Sequence, residues 1–295
     1  MSSRLPPSCA TLEAGIHEHW TELNGHRLRF LHGGKGPPLL LIHGLLGYSF
    51  SWRRNLAALA ERATVFAPDL LGAGLSQRVP GLDCSMRAIA GRVLRFLEGQ
   101  GIESFDLLGT SHGGAIAMTL AAMLAESKTP SVRRLILVDP AHPWSCPRPL
   151  LMKLLRHRGG AALFRLLAPW MKFVHGYYLR RMYGDPRRIP PGTLEGYTAP
   201  LAVPGAYDYG LSIVKCWADD MRELETALPR ITGIPTLLIW GGRDRVIPPS
   251  SAAQLQGQFR NCRLLVMEGA GHLPYEEMPE EFNRAVLDFL ESSSW

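Results

Sequence analysis

The apolar positions of this chain fall into two rhythms that alternate. Short continuous runs such as Leu39-Leu40-Leu41-Ile42, Leu135-Ile136-Leu137-Val138 and Pro235–Trp240 have no polar side to offer water. Runs of this length bounded by turn residues read as strands buried on both faces of a parallel sheet. Between them lie segments with apolar residues every three to four positions, as at Ile89, Val93, Leu94 and Leu97. That spacing predicts helices over Trp52–Ala60, Met86–Leu97, Ser250–Gln258 and Pro279–Leu290. Further strands are predicted at Thr64–Ala67, Phe105–Leu108 and Arg263–Met267. Strand and helix in alternation mean a parallel sheet with right-handed crossovers. At the start the rhythm differs. Two short strands, His17–Leu23 and Arg27–His32, flank Asn24-Gly25, a strong signal for a two-residue hairpin.

The alternation stops after Asp139-Pro140. From Ala141 to Ala218 the chain is helical in character, with no buried-strand run, and after that the alternation resumes. Residues 1–140 and 219–295 are therefore expected to form one α/β core, and residues 141–218 an inserted helical cap.

Composition adds three points. An apolar content of 46% in 295 residues is ample for a core. Five scattered cysteines with no C-x-x-C pair argue against a zinc site or a disulfide framework. Met1–Ala14 has no apolar stretch of signal-peptide type and no run reaches eighteen apolar residues, so a reducing, cytoplasmic setting is expected. The net charge of +6 is uneven: Arg148 to Arg188 holds ten basic residues and one acid, Asp185, or +9, leaving the remainder at −3. No nucleic-acid-binding motif accompanies this charge, so nucleic acid is not the expected partner.

The chemistry concentrates at strand ends. Gly109-Thr110-Ser111-His112-Gly113 follows one strand and opens an alanine-rich helix. In G-x-S-x-G between strand and helix, the serine sits on a sharp turn above the sheet edge. The plain alternative is a helix-capping serine. A nucleophilic serine needs a base, and the base needs an orienting group. Asp244 in Gly241-Gly242-Arg243-Asp244 and His272 in Gly269-Ala270-Gly271-His272 each stand just past a strand. Asp139, also past a strand, competes with Asp244 for the acid role. The expected oxyanion donors are the backbone N–H groups of His112, at a helix start, and Leu45, in the His43-Gly44-Leu45 loop. His43 is expected to brace that loop.

These motifs, with Pro68-Asp69-Leu70, Gly72, Gly74 and Ser76, resemble the α/β-hydrolase fold superfamily over the chain from about Trp20 onward, the insertion apart. The resemblance implies a mostly parallel eight-stranded sheet with helices on both faces, a helical cap over the site and no cofactor or metal. It implies that Ser111, Asp244 and His272 act as a triad and that Asp69 steadies its loop. Haloalkane dehalogenases and epoxide hydrolases of this fold carry an aspartate where this chain has Ser111. Carbon–carbon bond hydrolases of the fold often have a tryptophan where this chain has Leu273. Small-molecule carboxylic ester hydrolysis is the expected reaction, its activity rising with pH as the histidine base becomes neutral. Carbon–carbon bond cleavage, cofactor-free perhydrolysis and a non-catalytic ligand-binding role are the alternatives. For the basic, apolar insertion two readings stand: a solvated outer face, or a surface that meets anionic lipid or acidic substrates.

Overall fold

The computed structural model describes residues 15–125, 127, 129–145, 158–167 and 172–292. Eight strands form one sheet: β1 Ile16–Leu23, β2 His26–Gly33, β3 Pro38–Ile42, β4 Thr64–Pro68, β5 Ser104–Thr110, β6 Ser131–Val138, β7 Thr236–Gly241 and β8 Cys262–Met267. Their order is β1-β2-β4-β3-β5-β6-β7-β8. β1 and β2 pair antiparallel, as do β2 and β4, and every pairing from β4 to β8 is parallel. The Asn24-Gly25 turn has φ of 53° and 78°, the left-handed pair that a two-residue hairpin demands.

The continuous apolar runs are explained by two cores, one on each face of the sheet. In β3, Leu40 and Ile42 enter one core while Leu39 and Leu41 enter the other. Helices α2 (Met86–Gly99) and α3 (His112–Leu124) cover the first face. Helices α1 (Leu56–Ala60) and α10 (Pro279–Glu291) cover the second. Helix α3 is buried on nearly every side, so its small residues let neighbouring backbones approach. The helix expected over 52–60 is split into a 3₁₀ turn, Ser49–Trp52, and the short α1. Between them the Asn55 amide donates to Tyr275 O and Asn283 Oδ1, tertiary bonds that hold the chain off a continuous helix.

The insert is helical: α4 Arg158–Leu167, α5 Lys172–Met182, α6 Thr193–Thr198 and α7 Ala206–Ala227. The expected boundary at 218 falls inside α7. Tyr209, Ile213, Met221 and Leu224 all pack into the first core, so the helix serves insert and core together. The sequence positions 146–157 and 168–171 of the expected cap, including Arg148 and Trp170, lie outside the described residues. No helix among the described residues is long and apolar enough to cross a membrane.

One buried carboxylate ties insert to core. Glu276, in α9 (Pro274–Glu277), accepts from both Arg53 Nη atoms at 2.9 Å and from the hydroxyls of Tyr183 and Tyr197. Arg53 also donates to Thr193 Oγ1 of α6 at 3.1 Å. Deleting one member of a buried pair strands the other's charge, at a cost of about 3–5 kcal/mol. Glu276→Ala is therefore expected to lower the melting temperature by about 10 °C in a calorimetric or fluorescence melt. A melt superimposable on wild type would show the clamp to be energetically idle.

Candidate active site

The sharp turn at Ser111 is pinned from several sides. Ser111 has φ 52° and ψ −124°, a left-handed conformation that costs a non-glycine residue strain. Its N–H donates to Val138 O at 2.9 Å, and its carbonyl accepts from Gly114 and Ala141 N–H, both at 2.9 Å. The strain is sustained because β6 and α3 over-determine the turn. Two glycines make the crossing possible. A Cβ on Gly109 would lie 2.4 Å from Gly113 O, and one on Gly113 would lie 2.4 Å from the carbonyl oxygens of Ile42 and His43.

The structure brings Ser111, His272 and Asp244 together in a continuous chain of hydrogen bonds. Ser111 Oγ is 2.9 Å from His272 Nε2, and His272 Nδ1 is 2.7 Å from Asp244 Oδ2. The second Asp244 oxygen accepts from Val246 N–H at 2.6 Å and Ile247 N–H at 3.0 Å. With both carboxylate oxygens accepting, Nδ1 carries the imidazole hydrogen and Nε2 is left to accept from the serine hydroxyl. The main chain of His272 is held in turn: its N–H donates to Met182 O of α5 at 2.6 Å, and Glu277 accepts from Gly271 N–H at 2.6 Å. All three side chains sit at C-terminal ends of neighbouring or near-neighbouring parallel strands, where such sheets place their sites.

Asp139 stands beside this chain, against Asp244. It is fully buried at φ 42°, and its Oδ1 accepts from Gly241 N–H at 2.9 Å. An oxygen of Asp139 lies within 4.8 Å of the ligand atoms of Asp244 and His272. Burial first, and then the charge of Asp244, push its carboxyl well above the usual carboxylate range. The protonated form of Asp139 is thus favoured beside Asp244, whose two oxygens both accept hydrogen bonds. These three groups have the proximity of a cation site, but His272 and Asp244 already spend a donor and an acceptor on each other.

The expected donor loop runs against the serine. A Cβ on Gly44 would lie 3.2 Å from Ser111 Cβ. The N–H groups of Leu45 and His112 donate no hydrogen bond to the described residues. His43 braces the loop: its Nε2 accepts from Leu70 N–H at 3.0 Å and its Nδ1 donates to Gly44 O at 2.9 Å. Burial lowers its affinity for a proton and keeps it in this neutral role. Asp69 accepts from Ser49 and Leu75 N–H, each at 2.8 Å, and from Arg29, fixing the adjoining loop. The His112 side chain is buried against Trp217, with ring centroids 5.6 Å apart. Burial, then its neighbour His43, pull its pKa down to about 3, so it too is neutral.

A cavity of about 160 Å³ opens on Ser111 and His272. Its walls are chiefly apolar, from Leu45, Leu179, Met182, Leu194, Leu201 and Leu273, with the hydroxyls of Ser51, Thr198 and Tyr197 as polar points. The insert supplies much of this wall. The roles of Tyr197, Met182 and Glu276 have no motif in the sequence, because each arises only where the insert folds onto the core.

Comparison with known proteins identifies the fold. A family described as the alpha/beta hydrolase fold matches residues 37–279. Haloalkane dehalogenase 2 of Mycobacterium tuberculosis is 28% identical over 288 residues, covering 92% of this chain and 94% of that protein. N-formylmaleamate deformylase of Pseudomonas putida is 29% identical over 286 residues, covering 96% and 98%. Among solved structures, Cfl2 from Burkholderia cenocepacia superposes with a TM-score of 0.82 at 24% identity, covering 93% of this chain and 96% of that one.

Proposed function

Since the chain belongs to the alpha/beta hydrolase family, we propose that it is a serine hydrolase that cleaves carboxylic esters through an acyl-enzyme. This reading rests on the unbroken relay from Ser111 Oγ through His272 to Asp244, at 2.9 and 2.7 Å. His272 Nε2 takes the hydroxyl proton as Ser111 Oγ bonds to the ester carbonyl carbon. The Leu45 and His112 N–H groups receive the oxyanion, each worth about 10²–10³ in turnover by analogy with such donors. The imidazolium gives its proton to the departing alcohol as the carbon–oxygen bond breaks. Water then repeats the sequence on the acyl-enzyme and frees the acid. Asp244 orients the imidazole and offsets its transient charge.

The identity of the nucleophile separates this reaction from dehalogenation. Displacement of a halide by a carboxylate leaves an alkyl ester, whose carbonyl water can attack. Displacement by Ser111 would leave an alkyl ether with no carbonyl, a dead end. Serine therefore favours substrates that bring their own carbonyl. The small apolar cavity favours short to medium acyl chains.

A panel of p-nitrophenyl esters of graded acyl length tests this, joined by a fluorophosphonate probe and a formanilide. Turnover of the shorter esters and a probe adduct on the peptide containing Ser111 are expected. Absence of both turnover and adduct would overturn the assignment. Preference for the formanilide would move the reaction to amides while keeping the serine mechanism.

A further inference from the structure

Helix α4 turns its apolar side to water. Leu163, Leu166 and Leu167, at positions i, i+3 and i+4, are 55%, 69% and 47% exposed. A helix packed on a core ordinarily buries such a stripe. Here the inward contact is instead made by Phe164, whose ring meets Tyr207 of α7 edge-on at 5.8 Å. Helix α5 rests on the same tyrosine, through His175 at 6.4 Å. The two helices thus share one tyrosine of α7 as a contact. On α5, Tyr177 and Tyr178 are exposed, and Arg180 and Arg181 follow one turn later.

This exposure is concentrated. Of the seven large apolar side chains that are exposed among the described residues, five stand on α4 and α5. A sixth, Leu46, stands at the cavity and lies beside Gly210 of α7. Tyr178 also lines the cavity that holds Ser111. Apolar exposure gathered in one place marks an interaction surface rather than scattered surface residues.

Charge identifies the partner. The segment from Arg148 to Arg188 carries +9 while the rest of the chain is net negative, and its one acid, Asp185, is paired with Arg187 at 2.8 Å. A second copy of this chain would bring a second segment of the same sign and be repelled, with Arg180 and Arg181 on α5 beside the exposed tyrosines. Leucines to enter the acyl boundary, tyrosines for the interface and arginines for phosphate are the three parts of a helix that lies on an anionic bilayer. We propose that the outer face of α4 and α5 docks this protein on anionic lipid membranes. The cavity mouth is then held at the bilayer, so apolar substrates reach Ser111 with little passage through water.

Docking can be measured without turnover, so it stands or falls apart from the ester reading. Wild-type protein would be sedimented with vesicles of phosphatidylcholine alone and with roughly one lipid in three replaced by phosphatidylglycerol. Binding is expected to the anionic vesicles only. It should weaken steeply between about 0.1 and 1 M salt, as the Debye length falls from about 10 to 3 Å. Removing two basic residues, Arg180→Ser with Arg181→Ser, should cut partitioning about 25-fold, at about fivefold for each. Leu163→Ser with Leu166→Ser should cut it at least about fivefold. Leu163, Leu166 and Arg180 are exposed and Arg181 is half-buried, and unchanged melting would confirm that the fold is intact. Equal binding to both vesicle types, no binding to either, or binding untouched by both double variants would overturn the proposal. So would a concentration-dependent dimer in size-exclusion chromatography that the leucine variant abolishes, since that gives the face to a second copy.

Discussion

Ser111→Ala is expected to lower kcat on p-nitrophenyl esters by about 10⁴–10⁶-fold while leaving the protein folded. The side chain makes one hydrogen bond, to His272 Nε2, and the turn is held by main-chain bonds that alanine retains. Alanine inherits the same φ of 52° and hence the same strain, so the melting temperature should barely move. The loss therefore belongs to chemistry. A residue of catalysis should survive, because the N–H groups of Leu45 and His112 stay in place and still polarise a carbonyl for attack by water. Binding of the ester, set by the apolar cavity walls, should be little changed, so kcat should carry the loss rather than KM. Wild-type turnover in this variant would remove Ser111 from the mechanism and return it to the role of a helix cap.

How much of this was legible in the sequence depended on how local each cause is. The runs Leu39–Ile42, Leu135–Val138 and Pro235–Trp240 read as buried strands, because burial on both faces leaves them almost wholly apolar. Ser111, Asp244 and His272 are legible because each stands just past an expected strand, and parallel strands bring their ends together. Other features depend on distant partners. β6 begins at Ser131 rather than Leu135, since Arg133 and Arg134 reach Asp106 on β5 and can be half-buried there. Helix α7 overruns the expected boundary because its amphipathic pattern continues while the surface it packs on changes. Glu276 carries no motif and stands in a helix first turn, where acids are common. Its burial is set by Arg53, 223 residues away, and by two tyrosines of the insert. The state of Asp139 is equally hidden, because it comes from burial in the folded core and then from the charge of Asp244, against the Gly241 N–H, rather than from its own neighbours in the chain.

Asp139 and Asp244 offer the second large contrast. Asp244→Asn is expected to lower kcat by about 10⁴-fold. The amide oxygen can replace Oδ1 and keep the Val246 and Ile247 N–H bonds, which leaves the NH₂ facing His272. Nδ1 must then accept, the ring hydrogen moves to Nε2, and the base can no longer take the serine proton. Asp139→Asn should leave kcat within about an order of magnitude. Its amide oxygen can still accept from Gly241 N–H, and its NH₂ takes the place of a neutral acid beside Asp244. Stability should respond in a distinctive way. The Asp139 carboxyl is raised in the folded protein and returns to about 3.8 on unfolding, so its contribution is full below pH 3.8 and is lost as pH rises toward the folded value. Wild type therefore loses stability relative to Asp139→Asn by about 1.4 kcal/mol per pH unit while the folded carboxyl stays neutral. Urea unfolding of both proteins at pH 5 and pH 6 measures that widening gap. A constant gap would mean that Asp139 is ionised in the fold. A larger kcat loss in Asp139→Asn than in Asp244→Asn would transfer the orienting role to Asp139, since the histidine needs one ionised partner and the two carboxyls are too close for both to hold a charge cheaply.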